Sequence, residues 1–196
     1  MFTMDLFGEP PLPDGFRYMP DVLSVTEELD LVRHFEELAF QPFQFRGYSA
    51  NRRIFTFGYK YVFAGQKPRA DSTIPDYLRP LTEIASQITG KPARSFSQLM
   101  VTEYPPGAGI GWHRDRPVYE DIVGISFLAP CQLRLRQRAP DDTWIRRATQ
   151  IQPRSAYLLS GEVRDKWQHS ITPMDVTRYS VTLRTFRSRK GEEGER

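Results

Sequence analysis

Three side chains with ligand chemistry stand out: His113 and Asp115 in "WHRDRP", and His169 in "DKWQHSI". Residues i and i+2 of a strand point to one face, so His113 and Asp115 can offer a nitrogen and an oxygen to a single point. Alone, the pair reads better as structural, a surface turn, than as two metal ligands. His169 follows a strand-like segment and a turn, and a sandwich fold can bring it across to the pair. Two imidazoles and one carboxylate, with other positions open, make the facial triad used for Fe(II) oxygen chemistry. The same three ligands would also serve a zinc hydrolase.

The segment "RYSVTLR" separates the two chemistries. Alternation puts Tyr179, Val181 and Leu183 on one strand face and Arg178, Ser180, Thr182 and Arg184 on the other. The apolar row suits a core, and the second row taken alone suits a solvated face. Next to a metal it has a use. The two arginine Cα atoms lie ~20 Å apart at about 3.3 Å per strand residue, and side chains leaning inward bracket a small dicarboxylate and the metal. A guanidinium fork holds a carboxylate through paired charge-assisted hydrogen bonds, which a hydrolytic zinc site does not need.

Positioning these residues falls to a run of short β-branched or aromatic segments separated by Pro, Gly or Asp turns: "FSQLMVTEY", "DIVGISFL", "CQLRLRQR", "WIRRATQI", "SAYLLSG" and "YSVTLRTF". Two helices precede them. Ser24 and Glu27 have capping-box spacing, followed by a stripe of Leu29, Val32, Phe35 and Ala39, with His34 off the stripe and solvated. Leu81, Ile84, Ala85 and Ile88 form the second stripe, which Gly90 ends. Helices and then strands predict a mixed, mainly β fold, with helices packed outside a β-sandwich or jelly roll.

The 196 residues suit one domain over residues 21–187, after an irregular, Pro- and Gly-rich lead-in at 1–20 and before a charged tail at 188–196. A net charge of +3 permits a polyanionic partner without demanding one. The single cysteine, Cys131, excludes an internal disulfide, suits a reducing cytoplasm and reads as an inert core thiol. The chain has no apolar run of about 18 residues, and its opening is too short and acidic for a signal peptide. A cytoplasmic protein with no membrane role is expected.

In order and spacing these motifs resemble the AlkB-like family of Fe(II)/2-oxoglutarate-dependent dioxygenases. "VTEYPPGAGIGWHRD" is similar to the family's Asn-x-Tyr-x-x-Gly-x-x-Ile-x-x-His-x-Asp segment, and "LLSGEVRDKWQHSI" to the segment carrying its distal histidine. "RRIFTFGYKY" resembles a stretch near its substrate-covering lid, here about residues 45–70. The resemblance implies a double-stranded β-helix (jelly roll) in which His113, Asp115 and His169 bind iron. It further implies that Arg178 pairs with the distal carboxylate of 2-oxoglutarate, helped by the Tyr104 hydroxyl. Arg184 would lie near the metal-proximal carboxylate and Asp115. Arg53, Tyr59 and Tyr61 would line the substrate side, while Trp112 and Trp167 pack beside the ligands. Fe(II), 2-oxoglutarate and O2 are the cofactor set, and no catalytic residue beyond the metal ligands is implied.

The activity implied is oxidative demethylation of an alkylated nucleic-acid base, as in DNA repair, releasing succinate, CO2 and formaldehyde. "FRGYSANRRIFTFGYKYVFAGQKPR" interleaves basic and aromatic residues, which suits a single-stranded or flipped base, although a solvated lid over an aromatic seam explains it equally well. The sequence departs from the family pattern at two places. Thr102 stands where the pattern has Asn, so one hydrogen bond to 2-oxoglutarate is missing or bridged by water. Arg116 and Pro117 follow the His-x-Asp pair where base-repair members carry an acid; arginine has no acceptor and proline no N–H. That departure favours a second expectation, hydroxylation or demethylation of a protein side chain. A third is a non-catalytic barrel that binds metal or nucleic acid, against which the complete ligand set argues.

Overall fold

The computed structural model describes residues 11–45, 48–60, 69–70 and 72–187. Helix α1 (Val25–Glu36) opens as its sequence requires: the Ser24 hydroxyl accepts from the Glu27 N–H while the Glu27 carboxylate accepts from the Ser24 N–H. Its buried face is Glu28, Leu31, Val32 and Phe35; Leu29, expected on that face, is exposed, and Ala39 lies beyond the helix. Helix α2 (Arg79–Thr89) buries Leu81, Ile84, Ala85 and Ile88 and stops at Gly90, whose φ of +76° closes the helix. A short α3 (Gly161–Lys166) follows "AYLL"; one and a half turns are too few for a visible periodicity.

The strands are β1 (Phe16–Met19), β2 (Gln41–Phe45), β3 (Tyr48–Lys60), β4 (Arg69–Ala70), β5 (Gln98–Tyr104), β6 (Ile110–His113), β7 (Tyr119–Phe127), β8 (Cys131–Arg138), β9 (Trp144–Ile151), β10 (Ala156–Leu159), β11 (Gln168–Ile171) and β12 (Arg178–Phe186). They form two antiparallel sheets. The larger runs β1-β10-β7-β12-β5-β3-β2 with β4 on β3, and the smaller runs β6-β11-β8-β9. Part of the expected irregular lead-in is therefore regular: Phe16–Met19 pairs with Ala156–Leu159 at the sheet edge. The two sheets form a jelly roll with the helices outside it, and no described helix is long and apolar enough to cross a membrane.

The central strands of the larger sheet, β10, β7, β12 and β5, are largely buried on both faces. Its odd-numbered residues on β5, β7 and β12 (Leu99, Val101, Val123, Ile125, Val181 and Leu183) pack with Phe35 and the α2 stripe. Phe35 meets Phe127 edge-on, with ring centroids 5.2 Å apart. The even-numbered residues face the smaller sheet across a second core that includes Tyr104, Ile122, Leu133, Leu135 and Tyr157. Strand β12 thus has no solvent face at Arg178, Ser180 or Arg184, all of which are buried. Polar side chains buried in this way need partners, so the pattern that makes β12 conspicuous also marks a site.

Candidate active site

Strands β6 and β11 pair with His113 directly opposite His169, so the pairing register itself sets the two imidazoles side by side. Their ring centroids are 4.2 Å apart and tilted by 56°. Asp115 lies two residues beyond the end of β6, and the ligand atoms of all three side chains lie within 4.8 Å of one another. His169 Nε2 is 3.4 Å from Asp115 Oδ2. His113 Nδ1 is 2.8 Å from the Gly111 carbonyl; donating there leaves Nε2 as the free lone pair.

The electrostatics favour the deprotonated ligand set that metal binding requires. Burial pushes the Asp115 carboxyl up, but Arg184, His169, His113 and Arg164 together outweigh it and hold it at about 2. Burial, with His113 beside it, pushes His169 down to about 4 against the pull of Asp115. At neutral pH the cluster therefore offers a carboxylate and a neutral imidazole from these two residues. Arg184 Nη2 lies 3.3 Å from Asp115 Oδ1, and its guanidinium carbon sits 5.2 Å from the centre of the Tyr119 ring.

Arg178 is fully buried on the same interior wall. Its Nε donates to the Ser126 hydroxyl at 3.0 Å, and Tyr104, opposite it in the β5 register, presents its ring 5.1 Å from the guanidinium. Both terminal nitrogens, Nη1 and Nη2, are buried without a partner. A buried guanidinium with its fork unpaired is costly, and a carboxylate of the right size relieves that cost through two parallel hydrogen bonds. This wall therefore fits the distal end of 2-oxoglutarate. Thr102 is 1 % exposed and pairs with Ser180 on the same interior face. Burial raises the Tyr157 hydroxyl well above its ordinary value, though the neighbouring Arg178 opposes this, so a neutral phenol stands by the arginine.

The expected substrate residues do not all come together. Gly58 has φ +80°, and a Cβ there would stand 2.2 Å from the Ser97 carbonyl oxygen, so only glycine allows this turn. After it Tyr59 reaches Phe186, with centroids 5.9 Å apart, and Phe186 reaches Tyr119 at 5.5 Å. This chain of rings ends at the residue that carries Arg184. Arg53 is not brought to this series: it faces the helix side of the sheet, ion-paired to Glu103, which also accepts from the Tyr179 hydroxyl. Its neighbour Arg52 has the opposite parity and lies half-buried over the Phe43 ring at 4.0 Å. Tyr61 lies outside the described residues, as does much of the expected 45–70 lid.

Three further residues shape the site. Ser126 orients Arg178 and Tyr157 flanks it. Arg164, buried in α3, donates from Nη2 to the Arg116 and Tyr119 carbonyls and so clamps the "HRDRP" loop. The alternation along β7 could have exposed Ser126, a hydroxyl among apolar residues. Nothing in the sequence separates Arg164 from any other helix arginine. Cys131 is buried, and burial pushes its thiol up, in keeping with an inert core residue.

A jelly roll with a His-x-Asp…His cluster at one end of its cavity and an unpaired buried arginine on the wall defines a class, the Fe(II)/2-oxoglutarate oxygenases. The family model "2OG-Fe(II) oxygenase superfamily" matches residues 15–189, and the chain belongs to that superfamily. It is accordingly an enzyme whose cofactors are Fe(II), 2-oxoglutarate and O2, and the histidine–aspartate–histidine cluster fits the iron site. An "Alkylated DNA repair protein ALKBH8 homolog" of Arabidopsis thaliana is 30% identical over 185 residues, covering 80% of this chain and 50% of that protein. The mouse "tRNA (carboxymethyluridine(34)-5-O)-methyltransferase ALKBH8" is 28% identical over 176 residues, covering 85% of this chain and 25% of that protein. The chain thus spans half or less of these relatives. Among solved structures, OsALKBH1 superposes with a TM-score of 0.64 at 13% identity, covering 90% of this chain and 100% of that one. A Pseudomonas putida prolyl-4-hydroxylase superposes at 0.58 and 15% identity, covering 89% and 94%. These superpositions bear on the fold alone.

Proposed function

We propose that the protein oxidises an alkyl group on a nucleic-acid base presented as a flipped or single-stranded nucleotide, releasing formaldehyde from an N-methyl substrate. The observation that carries this reading is the ring series Tyr59–Phe186–Tyr119, which leads from an exposed tyrosine to the arginine on Asp115. Aromatic faces accept any base by stacking, and Arg52 supplies a cation on the barrel side of β3 for a phosphate. The relatives' names also support a nucleic-acid substrate, since one names alkylated DNA and the other a tRNA. RNA is therefore as much within this proposal as DNA.

In this reading His113, Asp115 and His169 hold Fe(II), and Arg178 with Tyr104 receives the distal carboxylate of 2-oxoglutarate. Bound iron and 2-oxoglutarate supply the oxidation of a substrate C–H bond, with succinate and CO2 as co-products. The chain's own residues hold, orient and exclude water. Ser126 fixes the plane of the Arg178 fork, Tyr157 keeps a neutral hydroxyl beside it, and Arg184 keeps Asp115 ionised and turned toward the cluster. None of these side chains has to move a proton. The experiment is turnover of single-stranded DNA and RNA oligonucleotides carrying 1-methyladenine, 3-methylcytosine or 3-methylthymine, read by mass spectrometry and formaldehyde release.

A second reading, oxidation of a protein side chain, rests on the "HRDRP" loop. The Arg116 carbonyl already accepts from Arg164, and its side chain has no acceptor for an amino-bearing base. Succinate production with no turnover of any methylated oligonucleotide would favour this second substrate class.

A further inference from the structure

The outer face of the smaller sheet carries a ladder that the oxidation site does not use. Alternation along β8 sends Leu133 and Leu135 into the core and Arg134, Arg136 and Arg138 outward. The β9 register sets Arg146 opposite Arg136 and Trp144 opposite Arg138. Trp112 comes from β6. The guanidinium of Arg134 lies 5.1 Å from the Trp112 ring centre and that of Arg136 4.4 Å from it. Arg136 and Arg138 lie 4.1 Å and 4.2 Å from the centre of Trp144. Arginine and tryptophan therefore alternate across the face, beside an open hollow of about 430 Å³ lined in part by Trp112, Arg134 and Arg146.

We propose that this face is a docking surface for the sugar–phosphate backbone of a single-stranded nucleic acid, separate from the pocket that takes the reacting base. The proposal rests on the nucleic-acid reading above.

Charge is the first argument. Among the described residues no carboxylate pairs with Arg134, Arg136 or Arg146, and only Arg138 has one, Asp142 at 3.2 Å. Arg136 is pushed below its ordinary value by burial and by the like charges of Arg146, Arg138 and Arg134, a crowding that an anion would relieve. Order is the second argument. Arg134 Nε donates to the Ser170 hydroxyl at 3.0 Å and Arg136 Nε to the Gln168 side-chain oxygen at 2.8 Å. With Nε tied down and the guanidinium held against an indole, little rotamer entropy remains to be lost on binding. Spacing is the third. Successive outward residues of one strand recur every ~6.6 Å, close to the repeat of phosphates along an extended single strand. Finally, Trp112 is the chain neighbour of His113, so one peptide unit of β6 links this face to the metal cluster.

The test is the triple variant R134Q/R136Q/R146Q, with R134K/R136K/R146K as a charge-retaining control. The probe is a fluorescent, unmodified single-stranded RNA twelve nucleotides long, followed by anisotropy across a salt series. The glutamine variant should bind tenfold or more weakly at low salt. Its slope of log K against log salt should fall by ~2, at about 0.7 for each single-strand phosphate that the protein no longer neutralises. Lysine should restore part of the slope. Uncoupled succinate production should match the wild type in both variants, which reports that barrel and metal site are intact. Affinity and slope unchanged in the glutamine variant, or no RNA binding by the wild type, would overturn the surface. Polyglutamate bound through these arginines as tightly as RNA would also overturn it, in favour of an acidic protein. Loss of RNA binding in the variant, with no methylated oligonucleotide turned over by the wild type, would keep the surface and reject the substrate reading. Full turnover and binding by the variant would do the reverse.

Discussion

Arg178 and Ser126 are joined by one buried hydrogen bond, Nε to Oγ at 3.0 Å, that links neighbouring strands β12 and β7 inside the barrel. The bond uses the side of the guanidinium away from its fork, so both terminal nitrogens are left buried without a partner. Orientation of the Arg178 guanidinium is thus built into the sheet.

Replacing Arg178 with alanine should weaken 2-oxoglutarate by roughly 2–5 kcal/mol, tens-fold or more, as expected when one partner of a buried charge pair is removed. Lysine should recover part of this, since it keeps a charge and loses the fork. Ser126→Ala should raise the KM for 2-oxoglutarate by a smaller factor with little change in kcat. Succinate release against 2-oxoglutarate concentration checks all three. Equal affinity in wild type and Arg178→Ala would remove the arginine from the pocket.

Arg164 clamps the iron-site loop through its carbonyls and adds positive charge near Asp115, so Arg164→Met should leave the ligands present but their loop unclamped. Fe(II) affinity should fall roughly 10–100-fold, the range seen when outer groups around a metal site are removed. Anaerobic titration measures it, and circular dichroism should show the fold retained. Unchanged iron affinity would make Arg164 a packing residue.

Metal-free protein should lose stability as pH falls through the window set by His169. Burial holds its folded value near 4, below the ordinary 6.5, so the unfolded chain takes up the proton first. Stability is complete above about 6.5 and is lost as pH falls toward 4, by roughly 2 kcal/mol at pH 5. Urea midpoints in chelator at pH 7 and pH 5 give the difference, which His169→Gln should reduce. The same pH dependence in both proteins would show that another group causes it.

Gly124→Ala should be destabilising out of proportion to one methyl group. A Cβ at Gly124 would stand 2.3 Å from the Tyr157 ring, deep in the barrel, and overpacking of this kind costs about 1–3 kcal/mol. The double variant with Tyr157→Leu should recover part of the loss in a thermal melt. Additive losses would show that the two residues do not press on each other.

The metal cluster is legible in the sequence because His113 and Asp115 share a strand-like spacing and a second histidine has its own strand. Arg178 and Arg184 stand out by alternation, but that row alone equally suits a solvated face; only the burial of β12 on both sides makes it a site. The stripe of α1 misleads because Glu28, an acid, is buried: it accepts from the Leu128 N–H at 2.8 Å and pairs with Arg154 at 3.0 Å. A sequence pattern that equates charge with solvent must turn such a helix the wrong way. Which of Arg52 and Arg53 faces inward is not legible, since β3 carries side chains of similar character on both faces and only its pairing with β5 fixes the inward one. The Arg164 clamp is not legible, because its partners are carbonyls, which every residue has.

Strand β12 leaves little room for evolutionary drift. A substitution at Tyr179, Val181 or Leu183 disturbs the packing under the helices, and one at Arg178 or Arg184 disturbs the cavity, so the strand has almost no neutral positions. Positions with a free face lie elsewhere, on the edge strand β2, in the "HRDRP" turn and on the outer arginine face. The barrel wall is the inherited part of the enzyme, and its rim is the part free to be revised.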